Sequence, residues 1–237
     1  MEENPKNWEQ ITDFLIEDFS RNVYKKDEKM PSENTLSIRF SVPRTEIRRA
    51  YNRLKELGYI YSIRGCGSFF SGRKEKLQLS ITDSSSFSEK MKILGVNYRS
   101  ENLGIEKVSE DSPLYHSFDC HTPDILYKLT RLRYVDNNPV AIHLSYVSGK
   151  DFPNIEHEGF KITSFFKYLK HCGYTNFYNT KSEIVVATLT PEERKLLHVQ
   201  GYAPCLILNS QCMNQENGQI LEIAKTIYRS DSFVFKL

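Results

Sequence analysis

No run of eighteen consecutive apolar residues occurs among the 237 residues, so no transmembrane helix is expected. The N-terminus, MEENPKNWEQ, lacks a basic stretch followed by an apolar one, so no secretory leader is expected and the chain reads as cytoplasmic. Cysteine is sparse. Cys66, Cys120, Cys172, Cys205 and Cys212 are odd in number and contain no C-x-x-C pair. That fits free, partly buried thiols in a reducing compartment better than a disulfide framework. Histidine and cysteine do not cluster at ligand spacing, so neither a metal nor another cofactor is expected. His116, His121, His143 and His157 are scattered. No nucleophile–base pair or paired carboxylates stand at catalytic spacing, which argues against an enzyme. No internal repeat or low-complexity tract is present.

Apolar residues make up 39% of the chain and aromatics 12%, enough for packed cores rather than a disordered chain. The net charge is only +2, but it is unevenly distributed. From Arg39 to Lys74 there are nine Lys/Arg against two acids, a net of +7, while residues 1–38 carry a net of −4. One short block therefore holds the positive charge, the footprint of a polyanion contact.

Trp8, Ile11, Leu15 and Phe19 recur at helical spacing and predict a first helix. Ser32 is placed as the N-cap of a second helix over about Glu33 to Phe40, which buries Leu36 and Phe40. Pro43 suits the first turn of a third helix running to about Leu57, with Gly58 as its stop. Tyr59–Ile63 and Ser68–Ser71 read as two strands around the Gly65–Gly67 turn. The polar, Ser-rich stretch that follows is expected to be a linker, giving a DNA-binding domain over 1–72, a linker over 73–85 and an effector and dimerisation domain over 86–237.

Beyond the linker, SFSEKMKILG predicts a short helix, and YKLTRLRYV and PVAIHLSYV a hairpin around an Asn-Asn turn. ITSFFKYLKHCG predicts an amphipathic helix closed by Gly173, SEIVVATLT a strand and PEERKLLHV a helix opened by Pro191. CLILNSQCM and ILEIAKTIYR predict two further strands. The fold class expected is α+β: a winged helix-turn-helix followed by an antiparallel sheet with helices.

The third helix divides by chemistry. Ile47, Ala50, Tyr51 and Leu54 fall on one side; Thr45, Arg48, Arg49 and Asn52 fall on the other, with Arg44 at the start. A recognition helix needs that division, one side for the domain and one for bases, and arginine suits bidentate contact with guanine. The wing brings Arg64, Gly65 and Gly67 to a minor groove or to phosphates. Arg49 and Arg53 remain open between DNA contacts and partners of Glu46 or Glu56.

The run PSENTLSIRFSVPRTEIRRAYNRLKELGYIYSIRGCGSFF closely resembles the DNA-binding domain of GntR-type bacterial regulators, whose pattern is L-P-S-E-R-x-L-A, V-S-R-x-T-V-R-x-A-L and G-x-G-T-F. The resemblance implies that Arg44 and Arg48 are the two recognition-helix arginines, Thr45 the helix-start hydroxyl and Gly67 the wing-tip glycine. Asn34 stands where the family usually has an arginine, Pro43 where it has a capping serine, and Cys66 where a basic wing residue is frequent. These departures imply an operator preference of the chain's own.

The segment from about Ser86 to Leu237 resembles the UTRA effector domain of the HutC subfamily, on the markers SFSEKMKILG, LTRLRYVDNNPVAIHLSYV, ITSFFKYLKHCGY and LEIAKTIYRSDSFVF. The resemblance implies a fold related to chorismate lyase, a homodimer, and binding of a small metabolite such as a sugar phosphate. The effector residues it implies are Ser86, Phe87 and Ser88 at a helix start, Arg131 and Arg133, His143, Tyr146, Ser164, Glu222 and Tyr228. Arg133 is expected to point inward to an anion by bidentate contact, and Arg131 to face solvent. Ser164 is expected to cap a helix, and Glu222 and Tyr228 to meet ligand hydroxyls. His143 takes a place where the family often has glutamate, exchanging an acceptor for a group that can donate. The function expected is a transcriptional repressor that holds a palindromic operator in double-stranded DNA under control of an anionic effector. A lyase-like enzyme and an effector-independent DNA binder are the competing readings.

Overall fold

Helix α1 (Trp8–Ser20) starts where the Asn7 side chain accepts a hydrogen bond from the Gln10 amide at 2.9 Å. The computed structural model describes residues 4–72, 76–80, 85–118, 124–199, 201 and 203–236, with only the backbone at Lys181. Cys120, His121 and parts of the expected linker, 73–75 and 81–84, lie outside the described residues. Of the other cysteines, Cys66 and Cys172 are exposed free thiols, and Cys205 and Cys212 buried ones. The chain divides into two compact units at residues 75 and 76, the second holding 76–198 and 204–237.

In the first unit, Ile11, Leu15 and Phe19 of α1 pack in one core with Leu36 and Phe40 of α2 (Glu33–Phe40) and with Ile47, Ala50, Tyr51 and Leu54 of α3 (Arg44–Glu56). Ser32 caps α2 by accepting from the Thr35 amide at 3.1 Å. Pro43 occupies the N-cap of α3 itself and supplies no side-chain bond there. The α1 start is tied instead to α3, because the Trp8 amide donates to Glu46 Oε2 at 2.9 Å. Gly58, at φ 77°, ends α3 in the left-handed conformation that glycine adopts at least cost. The wing follows as β1 (Ile60–Ile63) and β2 (Gly67–Phe70), an antiparallel pair with Ile63 opposite Gly67. Gly67 has φ +117°, a conformation that strains any side chain, and a Cβ there would lie 3.2 Å from Lys29 Cε at the end of a flexible side chain, so the backbone is what favours glycine at the wing.

The second unit is built on a six-stranded antiparallel sheet in the order β4-β5-β6-β9-β8-β7. In chain order its elements are β3 (Leu77–Ser80), α4 (Phe87–Ile93), β4 (Tyr98–Lys107), α5 (Leu114–Ser117), β5 (Leu126–Val135), β6 (Asn138–Ser148), α6 (Ile155–Glu158), a 3-10 turn over Gly159–Lys161, α7 (Phe165–His171), β7 (Phe177–Thr188), α8 (Pro191–Leu196), β8 (Pro204–Asn214), β9 (Ile220–Arg229) and β10 (Phe233–Lys236). The α+β architecture expected from the sequence is found. The β5–β6 turn sits one residue earlier than expected, on Asp136 and Asn137, both at positive φ as a tight hairpin turn requires.

Two differences bear on the site. Part of the expected linker is a strand: β3 pairs in parallel with β10, with Leu77 opposite Phe233 and Leu79 opposite Phe235. Leu79 and Phe233 are buried in the same cluster as Met91, Ala141 and Tyr228. The polar letters around Leu77 and Leu79 concealed a four-residue strand whose partner lies at the other end of the chain. Strand β4 was also not expected. Its YRSENLGIEK run is mostly polar and is interrupted between Asn102 and Gly104 by a register shift.

Side chains alternate between the two faces of a sheet, so the register assigns each residue a face. One face carries two apolar clusters. Tyr127, Leu129 and Val147 pack with Phe152, Ile155 and residues of α7. Ala141 and Tyr228 pack with α4, β3 and β10. Between these clusters the same face turns polar.

Candidate nucleic-acid and effector sites

The α3 helix presents Arg44, Thr45, Arg48, Arg49 and Asn52 as exposed residues, opposite its buried apolar stripe. Asn34, on α2, is exposed, as are Arg64, Gly65, Cys66 and Gly67 of the wing. Arg49 pairs with Glu46 at 3.5 Å and Arg53 with Glu56 at 3.0 Å, so both have carboxylate partners on their own helix. A residue not anticipated joins the group. Glu33, the first residue of α2, accepts from Arg48 Nε at 3.3 Å and Nη2 at 3.0 Å, and Arg44 Nη2 lies 3.7 Å away. The hydrogen bond from Arg48 holds the Glu33 carboxyl below its ordinary range.

In the second unit, the register places Arg131 opposite His143 and His143 opposite Thr226, and Arg133 opposite Ala141 and Ala141 opposite Tyr228. Arg131 is fully buried, against the expectation that it faces solvent. It points to the same face as Arg133 because the two are separated by one residue on a strand. Arg131 Nη2 donates to Ser145 Oγ and to Glu222 Oε1, the latter at 3.3 Å, and Ser145 Oγ also donates to Glu222 Oε1. His143 Nε2 lies 3.4 Å from Glu222 Oε1, and its Nδ1 lies 2.8 Å from Thr226 Oγ1. Burial, and next the Arg131 charge, push His143 down to about 4, so its ring is neutral at neutral pH. A neutral ring has one N–H, so a Thr226 hydroxyl donating to Nδ1 leaves Nε2–H to donate to Glu222. Burial works against the Glu222 carboxylate, but the His143 hydrogen bond, the Arg131 charge and the Ser145 hydroxyl outweigh it and hold its pKa low.

Arg133 is buried on different terms. Its Nη1 donates to Ser100 Oγ and, at 3.1 Å, to the Thr163 carbonyl, and its guanidinium lies 5.1 Å from the Phe87 ring centroid. No carboxylate lies within ion-pair distance of it among the described residues. Burial, and next the Arg131 charge, lower it to about 9. Arg133 Nε, Arg131 Nε and Arg131 Nη1 are buried without a hydrogen-bond partner. Unpaired buried donors are costly and rare.

The other expected effector residues are placed in several ways. Ser86 caps α4 in a reciprocal capping box: its amide donates to Glu89 Oε2 at 2.7 Å, and the Glu89 amide donates to its hydroxyl at 3.3 Å. That amide is therefore occupied, while the Phe87 ring lies beside the Arg133 guanidinium. Ser88 is half-buried in the first turn of α4. Ser164 is buried at the N-cap of α7, but its side chain makes no capping bond. Tyr228 is buried against Phe233 and Phe235 in edge-to-face contacts, and burial raises its hydroxyl to about 12. Tyr146 stands opposite Lys128 and Ile223, an odd step from His143, so it projects from the other face of the sheet. Ser145 and Thr226 were not anticipated. Each lies an even number of residues from His143 or Glu222, so period-two spacing along ILEIAKTIYR and AIHLSYV carried the signal.

Comparison with known proteins agrees with both units. Residues 7–70 match the family model for bacterial regulatory proteins of the gntR family, and residues 94–234 match the UTRA domain. The chain is 26% identical over 226 residues to the HTH-type transcriptional repressor NagR of Bacillus subtilis, covering 95% of this chain and 91% of that one. It is 24% identical to the mannosyl-D-glycerate transport/metabolism system repressor MngR of Escherichia coli, covering 97% and 94%. In fold it resembles PhnF from Mycobacterium smegmatis, with a TM-score of 0.61 at 17% identity over 95% of this chain and 97% of that one. NagR and MngR are repressors by name rather than enzymes. With its gntR-type winged helix and its UTRA domain spanning more than half of the sequence, the chain belongs to the GntR family of DNA-binding transcriptional regulators, in the branch that carries a UTRA effector domain.

Proposed function

We propose that the chain is a cytoplasmic repressor that binds a palindromic operator as a homodimer and responds to an anionic metabolite of the sugar-phosphate or sugar-acid class. The observation that carries the effector reading is Arg133: a buried guanidinium with no carboxylate partner among the described residues and an unpaired Nε. Arg131 is matched by Glu222 and His143 is neutral, so the belt carries about one uncompensated positive charge. An anion supplies the missing partner, and the neighbouring Phe87, Ala141 and Tyr228 supply apolar and aromatic surface for a carbon skeleton. The name of the MngR relative refers to mannosyl-D-glycerate, a sugar carrying a carboxylate, which supports that ligand class.

The recognition surface is Arg44, Thr45 and Arg48 with the wing at Arg64, Gly65 and Gly67; Asn34 and Arg49 flank it. Two copies present two such surfaces, so that the effector acts by altering their match to half-sites one helical turn apart. The open edge of β7, with Ile184, Val185 and Val186 exposed, supports pairing of two chains.

A thermal-shift panel tests the effector reading with inorganic phosphate, glucose 6-phosphate, glucosamine 6-phosphate, glycerate and the corresponding neutral sugars. An anion at a hundred times its dissociation constant stabilises the wild type by about 2.7 kcal/mol. The neutral sugars are expected to do nothing, and Arg133→Met to abolish the response. Equal shifts in wild type and Arg133→Met would overturn the assignment.

A further inference from the structure

The Glu33 carboxylate stands on the surface expected to meet a polyanion, between the two arginines expected to read it. An acid there opposes binding to phosphate, so its position asks for a reason. It bonds Arg48 through both carboxylate oxygens, one to Nε and one to Nη2, and lies 3.7 Å from Arg44. A planar guanidinium has a side edge, made by Nε–H and one Nη2–H, and an end edge, made by Nη1–H and the other Nη2–H. The Glu33 contact fills the side edge of Arg48. The end edge remains, with two parallel donors at the spacing that matches O6 and N7 of guanine.

We propose that Glu33 is the positioning residue for base reading, holding Arg48 end-on toward guanine and lowering the affinity of the same surface for DNA of arbitrary sequence. It rests on the reading of α3 as the recognition helix. The two effects act together. Fixing the guanidinium removes the freedom with which a mobile arginine contacts any phosphate. The carboxylate offsets part of the positive charge of Arg44 and Arg48, which weakens the sequence-independent term. Discrimination improves because the competing state is disfavoured more than the specific one. A bidentate pair is the geometry in which an exposed ion pair has a defined orientation at all. Glu33 is the more sheltered partner, with its side chain 27% exposed against 59% for Arg48.

The test uses the full-length chain and a duplex enriched by wild-type protein from a library with a random centre. A random-sequence duplex of equal length is the competitor, and both are measured by fluorescence anisotropy between roughly 50 and 200 mM salt. Glu33→Gln is expected to bind the random duplex severalfold more tightly and the enriched duplex no better. The specificity ratio then falls severalfold, within the range that one bidentate base contact supplies. Replacing the recognised guanine with 7-deazaguanine is expected to cost the wild type about tenfold and Glu33→Gln little. In an Arg48→Met background Glu33→Gln should leave the ratio unchanged. Glu33→Asp keeps the charge but withdraws the carboxylate by one methylene, out of reach of the Arg48 side edge, so it should lose the guanine preference while non-specific binding stays as in wild type. A ratio in Glu33→Gln within twofold of wild type would overturn the proposal. So would lost discrimination at a cytosine with the guanine preference intact, because Glu33 would then be reading a base itself. Wild-type protein that enriches no duplex overturns the DNA-reading role of the whole unit and this inference with it, whereas the Glu33 variants bear on Glu33 alone.

Discussion

Arg131 on β5 and Glu222 on β9 meet at 3.3 Å across the intervening strand β6, which places Ser145 and His143 beside them. Both side chains are almost wholly excluded from solvent, at 0% and 4% exposure. Burying an ion pair is costly in desolvation, and leaving one member alone is costlier. Arg131→Met is therefore expected to destabilise the second unit by about 3–5 kcal/mol. The double variant Arg131→Met, Glu222→Leu should recover much of that loss, since an apolar pair carries no unpaired charge. Urea unfolding followed by circular dichroism measures both. A single variant within about 1 kcal/mol of wild type would contradict the pairing.

His143 gives a pH dependence with a defined sign. Its folded pKa is depressed from 6.5 to about 4, so the unfolded chain takes up a proton at a pH where the folded chain does not. Stability from this residue is complete above about pH 6.5 and falls as pH drops toward 4. The full effect is on the order of 3 kcal/mol. Glu222, whose folded pKa is lowered, loses its contribution only below the ordinary carboxylate range, so the window between pH 4.5 and 6.5 belongs to the histidine. The stability difference between wild type and His143→Gln, followed over that window, should narrow as pH falls. A constant difference would mean that the ring is not held neutral.

Arg133 and Arg48 should separate the two activities. Arg133→Met removes a buried cation with no carboxylate partner, so the melting temperature is expected to hold or rise. Its DNA affinity without effector should be unchanged, and the effector response lost. Arg48 is exposed, so Arg48→Met should leave stability and the effector-induced thermal shift intact while reducing operator affinity by about 1–3 kcal/mol. Anisotropy titrations with and without an added sugar phosphate distinguish these patterns. Loss of both activities in either variant would count against separate sites.

The assembly prediction concerns β7. Val186 is 69% exposed on an unpaired sheet edge, and a lysine there is a common natural device against strand pairing. Val186→Lys is expected to shift the chain toward monomer in analytical ultracentrifugation and to weaken binding to a two-half-site operator more than to a single half-site. An unchanged sedimentation coefficient would place the interface elsewhere.

The sequence by itself determined the local pieces of this protein. Helices α1 to α3 were legible because their apolar residues recur at helical spacing, and because Ser32, Pro43 and Gly58 mark their ends with recognisable chemistry. Strands β5, β6, β8 and β9 were legible from alternation. Tertiary structure decided what depends on register. Arg131 and Arg133 share a face because their strand alternates, and whether that face is buried depends on helices from elsewhere in the chain. Tyr146, three residues from His143, goes to the opposite face for the same reason. Short pairings with remote partners, as between β3 and β10, leave little local signal because neither strand is stable alone. Glu33 was visible in the sequence only as an acid near a helix start. Its position against Arg48, fifteen residues away, required two helices to be packed before the contact existed.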